Sequence, residues 1–334
     1  MSEGWSLTES DPAIFTTLLE ELGVIGLQVE ELWSLDKEAL NRLEPVHALI
    51  FLFKYIDSHQ NDPLKQAGTL EVPPPGTYFA QQVIANACAT LAILNAVMNV
   101  TSDPTAKTVD GVSIPPVELG EELNQLKSFS ADLDPQTRGE VLTNSEKLRT
   151  VHNSFARPNP FHLDEPKSST SKDAYHFITY IPVQGKLYEL DGLKPLPVSH
   201  GQIPIETNWT EKAQKVIENR INTYSSTEVH FNLMAICGDR LKVLENKLFK
   251  LQEKQAQEFL VNQLHIEIDE EIEKRKRWKF ENSVRRHNHI GLANALLMAL
   301  AKSGKLSDQI ELAKKKMNER RSKGQQDDME IDMD

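Results

Sequence analysis

A chain of 334 residues and 37.8 kDa, 39% hydrophobic and 26% charged, is ample for a buried core and excludes a short peptide module or a low-complexity protein. Its 37 Lys and Arg against 49 Asp and Glu leave a net charge of −12, which argues against nucleic acid as the main partner and favours something basic. Two cysteines, Cys88 and Cys237, are too few for a disulfide framework or a cysteine-rich zinc site and fit a reducing compartment.

The charge is uneven. Residues 1–239 hold 17 basic and 32 acidic side chains (net −15) and 240–334 hold 20 and 17 (net +3), so two functional units are expected. The polar, acidic start Met1 to Asp11 is unlike a secretory signal, and no run reaches the roughly 18 apolar residues of a membrane span. A cytoplasmic or nuclear protein without a membrane partner is expected.

In chain order, Thr8-Glu9-Ser10-Asp11-Pro12 caps an amphipathic helix carrying Ile14, Leu18, Leu19 and Leu22 and stopped by Gly23. The apolar run from Leu49 to Tyr55 suits a strand buried on both faces, and 57–77, with three consecutive prolines, reads as a loop. From Gln81 to Val100 apolar residues cover more than half the circumference of a predicted helix, which must then be central. Helical stretches over 119–133 and 141–151 follow a loop containing Pro104, Pro115 and Pro116. Residues 157–172, with Pro158, Pro160 and Pro166, predict a long surface loop of the kind that forms lids. Alternating runs at 175–181 and 186–191 around Gln184-Gly185 predict a hairpin. A helix over 211–221 and a strand over 229–236 complete a first domain at 1–238. Long charged helices at 239–324 and an acidic, disordered tail at 325–334 are expected beyond it.

The hairpin bears on chemistry. With Gln184-Gly185 as a two-residue turn, Val183 pairs with Lys186 and His176 falls opposite Leu193. Asp191 then projects from the same face as His176, at a diagonal spacing of roughly 7–8 Å that an imidazole and a carboxylate can bridge. A three-residue loop would put them on opposite faces. A lone cysteine in an apolar helix is more often inert core than nucleophile, which suits Cys237. Cys88 differs because Gln81, Gln82, Asn86 and Thr90 surround it, and amides there can donate to a developing oxyanion.

Gln82 to Thr90 around Cys88, Tyr175-His176-Phe177 and Glu189-Leu190-Asp191-Gly192-Leu193 resemble the active-site boxes of the ubiquitin C-terminal hydrolases, peptidase family C12. Trp5 to Pro12, Phe51 to Lys54 and His152 to Arg157 are similar too, so the likeness covers about residues 5–237. Arg277 to Asn282, Arg285 to Asn288, the apolar helix after them and Lys314 to Lys316 resemble the C-terminal extension of the proteasome-associated branch. The resemblance implies an α+β, papain-like cysteine protease fold, a central antiparallel sheet between helices, with a helical extension. It implies Cys88 as nucleophile, His176 as base, Asp191 as the group orienting the imidazole and Gln82 as oxyanion donor, with no cofactor or metal.

A helix start and a neighbouring imidazolium would then favour the thiolate at neutral pH. Residues 153–174 would be the crossover loop over the site, and the acidic half would steer an arginine-bearing ubiquitin tail. The extension would dock onto a ubiquitin receptor of the proteasome regulatory particle, through an apolar stripe of Ile290, Leu292, Leu296, Leu297 and Leu300. The basic run from Lys274 to Arg277 reads as a solvated helix face. Leu91 departs from the glutamine common in the family after Cys-Ala-Thr and is expected to alter packing. The alternative is a weak or inactive ubiquitin-binding scaffold of the proteasome.

Overall fold

A computed structural model describes residues 4–55, 67–100, 114–156, 175–224, 231–253, 258–287 and 290–316. Residues 57–66 of the expected loop, Pro104 of the next one, the lid at 157–172 and the tail at 325–334 lie outside these residues.

Among the described residues one antiparallel sheet of seven strands organises the chain: β1 (Leu27–Glu31), β2 (Val46–Lys54), β3 (Thr69–Leu70), β4 (Tyr175–Val183), β5 (Lys186–Leu190), β6 (Val198–Gln202) and β7 (Asn232–Gly238), in the order β1-β7-β2-β4-β5-β6-β3. The apolar run in β2 is central, and its period-2 alternation divides it between two cores. Ala48 and Ile50 join α1 (Pro12–Glu21) and α3 (Cys88–Val97) on one face. Leu49, Phe51 and Phe53 join α2 (Lys37–Arg42) and α7 (Trp209–Ile221) on the other. This is the expected α+β arrangement of a sheet between helices.

Asp11 caps α1 by accepting from the Ala13 and Ile14 N–H groups. The β4–β5 hairpin turns through Gln184 and Gly185, both with positive φ, and Val183 pairs with Lys186 as the two-residue turn requires. The predicted helices at 119–133 and 141–151 become three: α4 (Gly120–Phe129), α5 (Pro135–Asn144) and α6 (Glu146–Asn153). Asp134 caps α5 and Ser145 caps α6, so the chain breaks where each cap satisfies the free N–H groups.

His47, on β2, has no hydrogen-bond partner for its Nε2 among the described residues, and burial pulls its imidazole down to about 4. An unfolded histidine takes up its proton near pH 6.5, so between about 6.5 and 4 the unfolded chain binds more protons and stability drops as the pH is lowered. Urea unfolding should show about 2–3 kcal/mol of this loss between pH 7 and 4.5 that is absent from His47→Gln.

The described residues divide into two compact units, those within 4–286 and those within 287–316. The first therefore continues past the change of composition at Gly238 to include α8 (Arg240–Glu253) and α9 (Glu258–Arg286). Helix α9 is anchored by buried polar contacts. Asn282 donates to the Ala13 carbonyl and the Thr17 hydroxyl, both at 2.9 Å, and the Glu271 carboxylate accepts from Gln28 at 2.9 Å and Arg275 at 3.0 Å. Lys274 pairs with Glu30, and Arg275 with Asp239. The basic run thus departs from the solvated face expected of it, because two of its cations are consumed at the edge of β1. The second unit contains α10 (Ile290–Lys302) and a helical stretch over 306–316, and its Leu292, Leu296, Leu297 and Met298 are exposed.

Candidate active site

The central helix starts later than its apolar pattern predicts. Ala85–Ala87 form a single 3-10 turn and α3 begins at Cys88, while Gln81 and Gln82 are held outside the helix by their backbone N–H groups, which donate to Pro135 and Gly192 carbonyls at 2.8 Å. Two asparagines of α3 and its C-terminal end fix the approach: Asn95 accepts from the Ala80 N–H and donates to its carbonyl, and Asn99 does the same with Tyr78. The consequence is a cysteine at a helix N-terminus, half-buried, instead of one inside a helix.

The other pair comes from the hairpin. His176 Nε2 lies 2.6 Å from Asp191 Oδ1, with both residues buried. Regular β4–β5 pairing ends at Thr179 and Leu190, and the chain then turns so that the Leu193 N–H also donates to Asp191 Oδ1 at 3.0 Å. With Nε2 committed to the carboxylate, Nδ1 is the ring nitrogen able to take a proton. Phe53 and Tyr55 stand edge-on to the imidazole, with centroids 5.9 and 6.0 Å away.

The turn after Asp191 connects this pair to the cysteine helix. The Gly192 carbonyl receives the Gln82 N–H, and a Cβ added at Gly192 would come within 3.1 Å of Leu91 Cδ2 and 3.0 Å of Gln82 Cβ. Leu91, one turn beyond Cys88, is buried against that glycine, which is the packing role expected of it. Cys88, His176, Asp191 and Gln82 are thus gathered from three stretches of chain. Among the described residues no hydrogen bond joins the thiol to the imidazole, a separation common before substrate tightens such a site.

The polar residues near Cys88 divide by task. Gln81 donates to the Lys194 carbonyl at 2.8 Å, Asn86 to the Trp5 carbonyl at 2.9 Å, and Thr90 pairs with buried His152 at 2.7 Å. These are structural ties. Among the described residues the Gln82 amide bonds locally to the Ala85 carbonyl at 2.9 Å, so it retains an N–H to offer. Burial pushes the Cys88 thiol up, with the Ala89 and Cys88 N–H groups pulling the other way. That burial works against the helix terminus, which favours the charged form. Cys237 is fully buried and its thiol is raised as well, the behaviour of core.

One cluster escaped the residue patterns. Beneath Asp191, buried Glu189 meets Arg220 at 3.1 Å, His200 at 3.1 Å and Lys194 at 3.2 Å. Burial opposes its charge, but Arg220, Lys194 and His200 hold its carboxyl well below the usual carboxylate range. Its partners come from α7, β6 and the turn, so no local spacing could mark them.

The family model described as ubiquitin carboxyl-terminal hydrolase, family 1, matches residues 5–222, and a second, ubiquitin carboxyl-terminal hydrolases, matches 261–306. The chain belongs to the ubiquitin carboxyl-terminal hydrolase family. Among its relatives, ubiquitin carboxyl-terminal hydrolase ubh-4 of Caenorhabditis elegans is 42% identical over 306 residues, covering 90% of this chain and 89% of that one. Isozyme L5 of Dictyostelium discoideum is 36% identical over 357 aligned positions, 96% and 98% of the two chains. A crystal structure of Trichinella spiralis UCH37 bound to ubiquitin vinyl methyl ester is 37% identical, with a TM-score of 0.65 over 82% of this chain and 99% of that one. The papain-like fold and the cysteine, histidine and aspartate arrangement make this hydrolase a thiol-dependent deubiquitinase of the UCH37/L5 type.

Proposed function

We propose that the protein cleaves bonds at the C-terminal glycine of ubiquitin, with Cys88 as nucleophile, His176 as base and acid, Asp191 orienting the imidazole and Gln82 stabilising the oxyanion. The observation that carries this reading is the buried His176–Asp191 pair, 2.6 Å apart, whose aspartate leads into a turn packed against the first turn of the helix that Cys88 begins. With Nε2 held by Asp191, His176 Nδ1 takes the thiol proton as sulfur attacks the glycine carbonyl. The carbonyl oxygen becomes an anion, facing the Gln82 amide and the Cys88 N–H. The imidazolium then gives its proton to the leaving amine, and the same nitrogen activates the water that opens the thioester.

Two experiments test the assignment. Ubiquitin bearing a C-terminal thiol-reactive group should form an adduct that peptide mapping places on Cys88, and an adduct elsewhere, or none, would sink it. Gln82→Ala should lower kcat on a fluorogenic ubiquitin amide by about 10²–10³-fold with little change in KM, as loss of one oxyanion donor does.

We further propose that the hydrolase works at the proteasome, in cytoplasm and nucleus, with the second unit docking onto a ubiquitin receptor of the regulatory particle. The exposed Leu292, Leu296, Leu297 and Met298 of α10 and the family match over 261–306 support this. Since α9 is built into the first unit, the test leaves it intact: Leu296→Glu with Leu297→Glu should abolish co-purification with proteasomes and preserve hydrolysis of the small substrate. Unchanged co-purification would remove the docking reading.

A further inference from the structure

We propose that Lys194 is a positioning residue of this hydrolase, its ammonium balancing the charge that faces the His176–Asp191 pair while its backbone holds the oxyanion side in line with that pair. The inference rests on the roles proposed above for Cys88 and His176. The ammonium lies 3.2 Å from Glu189 Oε1 and 3.9 Å from Asp191 Oδ2, the oxygen that His176 does not use. The Lys194 N–H donates to the Asp191 carbonyl at 2.9 Å, closing the turn, and its own carbonyl accepts the Gln81 side chain at 2.8 Å. With the Gln82 N–H on Gly192, the four residues 191–194 hold the base and the oxyanion donor in one frame.

The charges around the imidazole can be named element by element. Glu189 lies on β5, His200 on β6, Arg220 on α7, and Tyr180 on β4 accepts from Arg220 at 3.1 Å. Arg220 also stacks over the Phe53 ring, 4.8 Å from its centroid, whose edge meets His176. Cys88 is the titratable group on the α3 side. Two carboxylates, Glu189 and Asp191, are thus balanced by two fixed cations, Lys194 and Arg220. Removing the Lys194 charge leaves the site one unit more negative, and the first proton to leave the thiol and imidazole pair then leaves less readily, whichever of the two groups carries it.

The test is the pH profile of kcat/KM for the full-length protein on a fluorogenic ubiquitin amide. In Lys194→Met the acid limb should move up by about one pH unit, a tenfold loss near pH 6 that shrinks toward the alkaline plateau. Lys194→Gln, which keeps a donor for Glu189, should move the same limb and carries the test if the Met variant does not fold. Lys194→Arg should leave the limb within about 0.3 of its original place. A lower plateau with an unmoved limb in the Met and Gln variants would overturn the proposal and reduce Lys194 to packing. If the unaltered protein has no turnover, or Cys88→Ala retains it, the assignment of the site fails first and the Lys194 role falls with it.

Discussion

Asp191→Asn should lower kcat on a ubiquitin amide by about 10⁴-fold, equivalent to about 5.4 kcal/mol of barrier, while the protein stays folded. The reason lies in which oxygen does what. Asp191 Oδ1 accepts from both His176 Nε2 and the Leu193 N–H, and Oδ2 faces the Lys194 ammonium. An asparagine has one acceptor for these two sites. If its oxygen stays on the His176 side, its NH₂ points at a cation. If it flips to satisfy Lys194, the NH₂ meets Nε2, which must then accept, and the ring proton moves to Nδ1. In that tautomer no lone pair remains on Nδ1 for the thiol proton. Either orientation also removes the anion that stabilises the imidazolium formed during attack. Single-turnover kinetics beside thermal unfolding checks the claim. A fall of less than tenfold in a folded protein would mean that Asp191 does not set the tautomer.

How much of this was legible differs by residue. The hairpin register could be read from the chain, because a strand repeats every two residues and Gln184-Gly185 suits a two-residue turn, but it holds only as far as Thr179 and Leu190, and the turn that carries Asp191 to His176 lies beyond it. The start of the cysteine helix could not. The apolar pattern around Cys88 continues toward Gln81, and only distant carbonyls at Pro135 and Gly192 draw that segment out of the helix. A signal was nonetheless present: Asn95 and Asn99, one turn apart in an apolar helix, need partners, and they find them on Ala80 and Tyr78. Asp134-Pro135 likewise repeats the cap and proline of Asp11-Pro12 and could have marked α5. The α9 anchors were hidden for another reason. Lys274 and Arg275 look like surface charge until Glu30 and Asp239 arrive from far along the chain.

Glu189→Gln should be the most destabilising single change in the cluster beneath the site, at about 3–5 kcal/mol by urea unfolding at neutral pH. Arg220 and His200 share the Glu189 carboxylate at 3.1 Å, and it takes Lys194 at 3.2 Å. A neutral amide of the same shape keeps the packing but leaves a buried guanidinium facing Tyr180 and an NH₂ turned toward other donors. Attraction that had offset the desolvation of several groups is then lost, and the desolvation remains. The sign can be checked within the same cluster. Removing Arg220 as well, in Glu189→Gln with Arg220→Met, takes away the stranded cation and should recover part of the loss, so the two changes should be clearly less than additive. Additive losses would mean that the pair contributes only packing. Because Asp191 follows two residues later, just past the end of β5, the single variant should also lose hydrolytic activity at temperatures where it is still folded. Activity that survives up to the unfolding transition would uncouple this cluster from the catalytic turn.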